Sequence, residues 1–473
     1  MLFFELVKKL ENNKLAQEQF ENSAKLVGLD ITFENYLPLL KKYIDGNKIN
    51  GKMDMLLNII NDKIVKGESI MDILGIDNIS KKQFAEVFTP IWLVNDMLDK
   101  LPEEVWSNPD FKWIDNSCGS GIFLWGGVIK RLKIFLKDQF SSEKKLNKHI
   151  ANMIYGVDIQ ASNVAICRKY IVEQLGKENK KIIKNNIVKA NSLEFDYWGG
   201  KKFNVVVGNP PYQDDSTSGS RKGGYGGRSL WDNFILKAFE MLHKNGYLVY
   251  VHPSAWRKPE HHLWKLMTSK QIIHLDIHSK NEGNKTFGAS TRYDWYVLEN
   301  VDCYKKTFVR CEDGKEVKIN LKEWNFLPNY MIDEVKNILG EQEVIFSYSI
   351  YDTRKRYMKD KKKNNEKPVI HTMTEKGMGL YYTTENKGHF GIPKVVLSFN
   401  EKQYPYNDYN GKYGMSQITF GLPITSKEEG DNIVKAINSD KFKEIIKATK
   451  WSTFQTEWRM FKYFRKDFWK EFI

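Results

Sequence analysis

Cysteine is scarce in this sequence, with only four among 473 residues. The four form no Cys-x-x-Cys pair, and no histidine stands near them at the spacing of a zinc site. The sequence therefore predicts neither a disulfide framework nor a metal site, and it suits a reducing, intracellular setting.

Long apolar runs are missing as well. Glu5 interrupts the short apolar stretch at the start, no small-residue cleavage site follows it, and no later stretch approaches the length of a membrane span. We therefore expect a soluble protein without a membrane segment. Its expected location is the bacterial cytoplasm or, for a viral source, the host cell or the virion.

Acidic residues are outnumbered, 59 against 73 basic ones, which gives a formal net charge of +14. This surplus favours polyanionic partners such as nucleic acid, although Lys-rich and Asn-rich usage can also reflect a biased genome. The length predicts more than one domain. Apolar spacing predicts a helical segment at 1–80, alternating strands and helices predict a doubly wound α/β sheet within 81–318, and the alternation stops in 319–473.

The segment that organises the chain is a β-branched run at 205–207 followed by Gly208 and then Asn209-Pro210-Pro211-Tyr212. The run predicts a buried parallel strand, and the two prolines must end it. Ligands bind at the carboxyl edge of such sheets, so we expect Asn209 and Tyr212 to face a site rather than the core. Taken alone, the double proline could equally serve only to stop the strand.

Three further strands end in turns that suit a ligand at the same edge. Trp113-Ile114-Asp115 runs into Asn116-Ser117-Cys118-Gly119-Ser120-Gly121, whose glycines let backbone approach a ligand closely. A third glycine is lacking, which argues against a dinucleotide or a phosphate cradle. Asp158 ends a second strand, where its carboxylate suits the two hydroxyls of a ribose or the cap of the next helix, and Asn191-Ser192 follows a third.

Several other segments carry candidate contacts. Thr89 and Pro90 are predicted as the N-cap and first-turn proline of a helix. The loop 216–228 is Gly-rich and basic, suited to close over a polyanion or to be a disordered insert, and Phe287 is predicted on a hairpin loop as a second stacking face. Seven basic groups at 354–363 suit backbone phosphates or a solvated loop, and the aromatic stripe at 451–472 predicts the core face of a helix.

The order of these motifs resembles that of the DNA amino-methyltransferases, specifically the adenine-N6 enzymes of the gamma arrangement, over roughly residues 84–300. The resemblance implies a Rossmann-like methyltransferase sheet at 81–318, a helical N-terminal segment and a C-terminal α+β target-recognition domain at 319–473. Two positions depart from the family pattern. Asn116 replaces the usual proline, and Asn191 stands where an aspartate usually holds the adenine of the cofactor, although its side-chain carbonyl can still accept that bond.

The resemblance also implies the chemistry and the residues that perform it. The cofactor is S-adenosylmethionine, and the reaction methylates the N6 amino group of an adenine flipped out of duplex DNA, without a metal. The expected cofactor-binding residues are Thr89, Pro90, Asp115, Cys118, Gly119, Ser120, Gly121, Asp158, Ile159, Asn191 and Ser192. The expected catalytic residues are Asn209, Pro210, Pro211 and Tyr212. The expected DNA contacts are Phe287, Arg221, Lys222, Arg228, Arg354, Lys355 and Arg356.

Other acceptors and classes stay open at this point. The same chemistry could act on cytosine N4, an adenine in RNA or a protein glutamine amide. An endonuclease fused to the methyltransferase is another class, because Glu316-Val317-Lys318 after Asp302 has nuclease-like spacing in a predicted turn. A third is a DNA-binding module without activity. The expected partners are double-stranded DNA and a cognate restriction endonuclease, with the protein acting as a monomer or a dimer.

Overall fold

The computed structural model describes residues 89–212, 229–363, 365–451 and 455–473. The predicted helical segment at 1–80 lies outside these residues, as do the loop residues Arg221, Lys222 and Arg228. The chain divides into two compact units. In the described part of the chain, no helix is long and apolar enough to cross a membrane.

The first unit comprises residues 89–253, Thr268–Arg310 and Glu316–Ile319, and it is built on a nine-stranded sheet. The strand order is β3-β2-β1-β4-β5-β7-β6-β8-β9. The strands are β1 (Trp113–Asp115), β2 (Ile154–Asp158), β3 (Ile187–Lys189), β4 (Phe203–Gly208), β5 (Leu242–Pro253), β6 (Lys270–His278), β7 (Tyr293–Asp302), β8 (Thr307–Arg310) and β9 (Glu316–Ile319).

Strands β1 to β5 are parallel, whereas β7 runs antiparallel between β5 and β6. Helices separate the parallel strands along the chain, so the predicted doubly wound, Rossmann-like sheet is confirmed. Strand β4 contains a continuous apolar run because both faces of the sheet are covered at its centre. Val205, Val206 and Val207 of β4 are fully buried, as a strand in the middle of a parallel sheet requires.

The helices of this unit are mostly short. They are α1 (Ile91–Leu98), α2 (Glu103–Ser107), α3 (Ile129–Phe135), α4 (Glu143–Met153), α5 (Ala161–Leu175), α6 (Lys180–Asn186) and α7 (Trp231–Met241), with a four-residue helix, Tyr197–Gly200, between β3 and β4. Helix α8 (Trp264–Ser269), before β6, begins in the second unit and ends in the first, and α9 (Lys280–Phe287) precedes β7. A π-helical segment, Ile122–Val128, precedes α3. Helix α1 begins next to Thr89-Pro90, but Pro90 is its N-cap residue rather than part of its first turn, so the predicted cap by Thr89 was wrong. Leu93 and Met97 of that helix are buried against the sheet.

Two local predictions in this unit were wrong. Phe287 is the last residue of helix α9, not part of a hairpin loop, and Gly288 ends the helix with a left-handed backbone (φ +68°). Glu316 and Lys318 lie in strand β9, which pairs antiparallel with β8, rather than in a turn.

The second unit comprises Ser254–Met267, Cys311–Lys315 and Asn320–Ile473. Its strands β10 (Lys367–Thr374), β11 (Gly377–Thr383) and β14 (Gly414–Met415) form one small sheet, and β12 (Lys394–Ser398), β13 (Tyr406–Asp408) and β15 (Thr419–Pro423) form another. Its helices are α10 (Ile332–Ile338), α11 (Lys427–Asn438) and α12 (Asp440–Ala448). The predicted C-terminal α+β architecture is therefore confirmed.

The aromatic residues near the end of the chain form the core of this unit, but not as one helix. Trp458–Tyr463 and Phe468–Glu471 are short 3-10 turns, and Phe461, Phe464 and Phe468 are buried. Phe442 of α12 packs among them, with its ring centroid 6.0 Å from that of Phe461. The predicted core role is confirmed, and the predicted continuous helix was wrong.

Candidate active site

Four strand ends lie side by side at the carboxyl edge of the first unit's sheet. Asp115 of β1 pairs in register with Gly156 of β2 and Val207 of β4, and Asp158 pairs with Lys189 of β3. Because these strands are parallel, the turns that follow them occupy the same edge. The structure thus brings together the Cys118 to Gly121 turn, Asp158, Asn191 and Asn209, as the sequence predicted.

The glycine turn after β1 is held tightly against its neighbours. The Cys118 N–H donates to the carbonyl of Val157 (3.0 Å), and the Gly119 N–H donates to Asp158 Oδ2 (3.0 Å). Gly121 has a left-handed backbone (φ +91°), and a Cβ built there would lie 2.5 Å from the sulfur of Cys167. Glycine is therefore required at this position, and the turn presents backbone rather than side chains at the sheet edge.

Asp158 is largely occupied by the protein itself. Its Oδ1 accepts hydrogen bonds from Gln160 N (2.8 Å) and Asn163 Nδ2 (3.3 Å), in addition to the Gly119 bond to Oδ2. A carboxylate has about four lone-pair sites, so room remains for about one further donor. This geometry suits one ribose hydroxyl rather than the two that the sequence suggested. The next residue, Ile159, is 52% exposed and offers an apolar surface beside the carboxylate.

Asp115 lies beneath the turn and is only 1% exposed. Burial raises the pKa of its carboxyl to about 8, and the nearby charge of Asp158 adds to this increase. The hydrogen bond from Ser117 N (3.0 Å) lowers the pKa but does not offset burial. A Cβ built at Gly208 would lie 3.0 Å from Asp115 Oδ1. The carboxyl group therefore touches both the glycine turn and the strand that leads to Asn209.

Asn116 and Asn191, the two departures from the family pattern, both have defined partners. The Tyr250 hydroxyl of β5 donates to Asn116 Oδ1, which ties this residue to a central strand. Asn191 Oδ1 accepts the Leu193 N–H at 3.2 Å and so closes its own turn. Ser192 is buried, and its carbonyl accepts the Tyr197 hydroxyl at 2.8 Å. The side-chain oxygen of Asn191 and the backbone carbonyl of Ser192 are therefore both engaged within the protein.

Asn209 is held by a residue that the sequence assigned elsewhere. Its Nδ2 donates to the hydroxyl oxygen of Thr89 at 3.1 Å, although the two residues are 120 positions apart. Thr89 is buried directly before Pro90 and helix α1. Thr89 was expected to contact the cofactor, and the structure places its hydroxyl on the amide of Asn209. Sequence reasoning could not find this pair because no local pattern links the two positions.

Tyr212 and Phe287 meet, as a pair of stacking residues would require, but edge to face. Their ring centroids are 6.4 Å apart, and their planes are inclined by 81°. Two parallel rings that sandwich a base stand about 7 Å apart, since each stacking distance is about 3.5 Å. The observed pair is therefore close to the required separation, and one ring must rotate before a base can lie between them.

The three predicted phosphate contacts in the second unit have different environments. Arg354 Nε donates to Asp352 Oδ1 at 2.9 Å, and its backbone N–H binds the same oxygen at 2.9 Å. All three side chains are exposed, and that of Arg354 is 71% exposed despite its contact with Asp352. Arg354 is thus tied to a carboxylate two residues away, which was visible in the sequence and was overlooked.

A charged cluster next to Phe287 was also missed, in which Asp276 and His278 are buried while Glu282 and Arg310 are partly exposed. It consists of Asp276 and His278 on β6, Glu282 on α9 and Arg310 on β8. The Ser279-x-x-Glu282 spacing of a capping box was the available sequence pattern. Among the described residues, no group of three or more His, Cys, Asp or Glu side chains is arranged to hold a metal ion.

Comparison with known proteins identifies the kind of domain that this edge belongs to. The model of the Eco57I restriction-modification methylase family matches residues 152–283, a range that contains Asp158, Asn191 and residues 209–212. The matched range is similar to methylases of the restriction-modification type. S-adenosylmethionine, the cofactor predicted for this methylase, is confirmed by that family, whereas the roles of its individual residues stay predictions.

Two curated relatives align with this chain over part of its length. An uncharacterized adenine-specific methylase of Mycoplasma pneumoniae (strain ATCC 29342 / M129 / Subtype 1) is 26% identical over 336 residues, 56% of this chain and 74% of that protein. The type II methyltransferase M.VspI of Vibrio sp. (strain 343) is 25% identical over 217 residues. That alignment covers 44% of this chain and about half of the relative, 47%.

Solved structures give weaker similarities. The M protein of the type I restriction enzyme EcoKI is similar with a TM-score of 0.37 and 12% identity, over 63% of this chain and 70% of that one. The structure of a DrdV–DNA complex is similar with a TM-score of 0.46 and 12% identity, over 89% and 60%.

Proposed function

We propose that this methylase transfers the methyl group of S-adenosylmethionine to the N6 amino group of an adenine turned out of duplex DNA, at a specific sequence. The observation that carries this proposal is the position of Asn209. Its amide stands at the carboxyl edge of the sheet, is held by Thr89, and is separated from the glycine turn by the buried carboxyl of Asp115.

The residues after β4 suit an amino group that is a poor nucleophile. The lone pair of adenine N6 is delocalised into the ring, and acceptors for its two hydrogens favour a tetrahedral, attacking nitrogen. The side-chain oxygen of Asn209 and the carbonyl of Pro210 are such acceptors, and proline offers no competing N–H. Because Asn209 Nδ2 donates to Thr89, the amide nitrogen is turned toward Thr89, and the amide oxygen is the atom that would accept a hydrogen of adenine N6. Pro211 fixes the backbone that presents Tyr212.

The residues at the neighbouring strand ends fit S-adenosylmethionine. When bound, this cofactor supplies an electrophilic methyl group on a positively charged sulfur. The carboxyl of Asp115 offers the complementary negative charge, and the backbone of the turn from Cys118 through Ser120 to Gly121 permits a close approach. Asp158 has a lone pair left for a ribose hydroxyl, and exposed Ile159 suits the face of an adenine ring. Transfer then depends on positioning, with no covalent enzyme intermediate.

We assign DNA recognition to the second unit. Phosphate contacts give affinity, and side chains at base edges give specificity. Lys355 and Arg356 are exposed and suit phosphates, whereas Arg354, predicted as a third contact, is better explained as a partner of Asp352. Arg221, Lys222 and Arg228 stay predicted contacts to DNA near the flipped base. A cognate restriction endonuclease is the proposed functional partner.

The experiment that tests the activity is methylation of random-sequence DNA with tritiated S-adenosylmethionine, followed by separation of the nucleosides. Label in N6-methyl-2′-deoxyadenosine from the DNA is the expected result, and sequencing of the modified bases then gives the target site. Label in cytosine, or in RNA or protein offered in parallel, would replace the proposed acceptor. Binding of the cofactor without transfer to any acceptor would instead indicate a DNA-binding module without activity.

A further inference from the structure

A series of four aromatic rings leads from the proposed base pocket into the interior of the first unit. Tyr212 meets Phe287 edge to face, and Phe287 meets Tyr293 in the same way, with centroids 4.8 Å apart and planes inclined by 74°. Tyr293 lies flat on His278, at 4.4 Å and 3°. His278 is thus the innermost ring of the series, and it is only 3% exposed.

His278 lies between two carboxylates. Its Nδ1 donates to Glu282 Oε1 at 3.3 Å, and its Nε2 lies 3.3 Å from Asp276 Oδ1. Burial opposes a charge on the ring, but the contacts with Asp276 and Glu282 outweigh burial and raise the pKa of His278. From the neighbouring strand β8, Arg310 Nε donates to Asp276 Oδ1 at 2.8 Å, and Asp96 of α1 adds negative charge near that guanidinium.

This cluster is joined to the helix that carries Phe287. Glu282 also completes a capping box, because its Oε2 accepts the Ser279 N–H at 2.8 Å while Ser279 Oγ accepts the Glu282 N–H at 3.1 Å. At the other end of α9, Thr286 Oγ1 and the Tyr293 hydroxyl are hydrogen-bonded at 3.1 Å. His278 therefore contacts α9 in its first turn directly and in its last turn through Tyr293.

The helix also has no space in which to shift toward the following loop. A Cβ built at Gly283 would lie 1.9 Å from the carbonyl oxygen of Thr291, so the helix backbone and the loop backbone are in close contact. Phe287 is consequently placed by three restraints, which are the charged cluster, the Tyr293 contact that His278 supports and this close approach.

We propose that His278 is a positioning residue for methyl transfer, which holds Phe287 through helix α9 and Tyr293 as the fixed wall on which the flipped adenine stacks. This inference rests on the proposed function, because it assumes that a base enters between Tyr212 and Phe287. It also determines which ring moves. One of the two rings must rotate to open a slot, and the restrained Phe287 leaves that rotation to Tyr212.

The test is a double-mutant cycle between His278→Gln and Phe287→Ala, measured as single-turnover methylation of DNA containing the identified site. We expect H278Q to lower the rate by about tenfold, since misplacement of a wall of the pocket by a fraction of an ångström has effects of this order. The affinity for S-adenosylmethionine should not change. In the F287A background, H278Q should cause no further loss, because the residue through which it acts is gone.

His274→Gln is the matched control. His274 lies on the same strand, is also buried and also contacts Asp276, but it stacks on Trp295 and Phe308 (4.7 and 4.9 Å) instead of Tyr293, so it isolates the contact with Tyr293. H274Q should lower thermal stability without lowering the transfer rate. An equal loss of rate in H274Q, or a loss in H278Q that persists in the F287A background, would overturn the proposal.

A readout independent of methylation separates this inference from the proposed function. Hydrogen exchange of the amides of α9 should be faster in H278Q than in the wild-type protein and unchanged in H274Q. If the wild-type protein transfers no methyl group to DNA, the proposed function fails, and exchange still shows whether His278 holds α9. If H278Q does not fold, Gly283→Ala moves the helix sterically, and an unchanged transfer rate in that variant would overturn the proposal.

Discussion

The carboxyl of Asp115 should make binding of S-adenosylmethionine depend on pH. This group is buried under the glycine turn, and its pKa is raised to about 8, so most molecules without cofactor carry it protonated at neutral pH. The cofactor brings a sulfonium and an ammonium group, which favour the ionised carboxylate. Binding should therefore release a proton below about pH 8 and should strengthen as the pH rises.

The size of the effect follows from the titration of a single group. With a pKa of about 8, the ionised fraction of Asp115 is about one in a hundred at pH 6 and about one half at pH 8. If only the ionised form binds the cofactor, the affinity rises about fiftyfold between these two values. The pKa values of the nearby Tyr197 and Tyr250 are raised by burial, so these groups do not titrate in this range.

Isothermal titration calorimetry at pH 6, 7 and 8 measures this dependence, and repetition in buffers of different ionisation enthalpy counts the released protons. Asp115→Asn is the matched variant. It should bind S-adenosylmethionine weakly at every pH, without the fiftyfold rise. A wild-type affinity that is constant from pH 6 to pH 8, or a variant that keeps the full rise, would refute the assignment of Asp115 to the cofactor.

The same group should affect the stability of the cofactor-free protein. A raised carboxyl pKa means that the stability present below about pH 4 is lost as the pH rises toward 8, since ionising the buried group is unfavourable. Asp115→Asn should remove this loss. Its melting temperature at pH 8 should therefore exceed that of the wild-type protein, and a lower value would indicate that the carboxylate stabilises the fold by another contact.

Four further predictions concern other residues. Asn209→Ala should lower the single-turnover rate by on the order of a hundredfold or more (~3 kcal/mol), and Thr89→Val by about five- to tenfold, both with unchanged cofactor affinity. A large change in the cofactor affinity of Thr89→Val would instead indicate that Thr89 contacts the cofactor. Tyr212→Ala should weaken the flipped-base state by ~1–3 kcal/mol, measured by 2-aminopurine fluorescence at the target position, and unchanged fluorescence would contradict its stacking role. Joint replacement of Lys355 and Arg356 by glutamine should flatten the slope of log affinity against log salt by about one unit per lost contact, whereas Arg354→Gln should leave it unchanged. Finally, the pKa of His278 is raised, so its charged form stabilises the fold until the pH rises through that pKa. The pKa of Glu282 is lowered to about 2, so its carboxylate stabilises the fold until the pH falls through that pKa. Exchange of the α9 amides should thus be slowest between about pH 5 and 6.5, and a rate that falls steadily at higher pH, after correction for intrinsic exchange, would contradict this.

The sheet and its functional edge could be predicted because both depend on local patterns. A β-branched run ending in two prolines, a glycine turn after Asp115 and an acid at Asp158 each mark the end of a parallel strand, and parallel strands align their ends. Asn116 could be predicted at that edge, but its partner Tyr250 could not, because the two are 134 positions apart.

The parts that were predicted wrongly involve elements with little apolar pattern. Helix α9 carries few apolar side chains, so periodicity did not reveal it, and its stability comes from the capping box, His278 and the contact between Gly283 and Thr291. The position of Phe287 at the end of a restrained helix therefore depended on tertiary contacts. Arg354 illustrates the opposite case, because its partner Asp352 stood two residues away in the sequence.

The edge-to-face contact of Tyr212 and Phe287 has an energetic consequence for catalytic turnover. In the absence of a base, each ring covers part of the other, so the enzyme does not expose two bare aromatic faces to water. Breaking this contact costs about 0.5–1.5 kcal/mol, and stacking one base on an aromatic ring returns about 1–3 kcal/mol. The contact between Tyr212 and Phe287 thus competes with stacking of a base on either ring. In the proposed mechanism this competition would weaken adenine binding slightly and would speed release of the methylated base, since the contact between the two rings replaces the departing base.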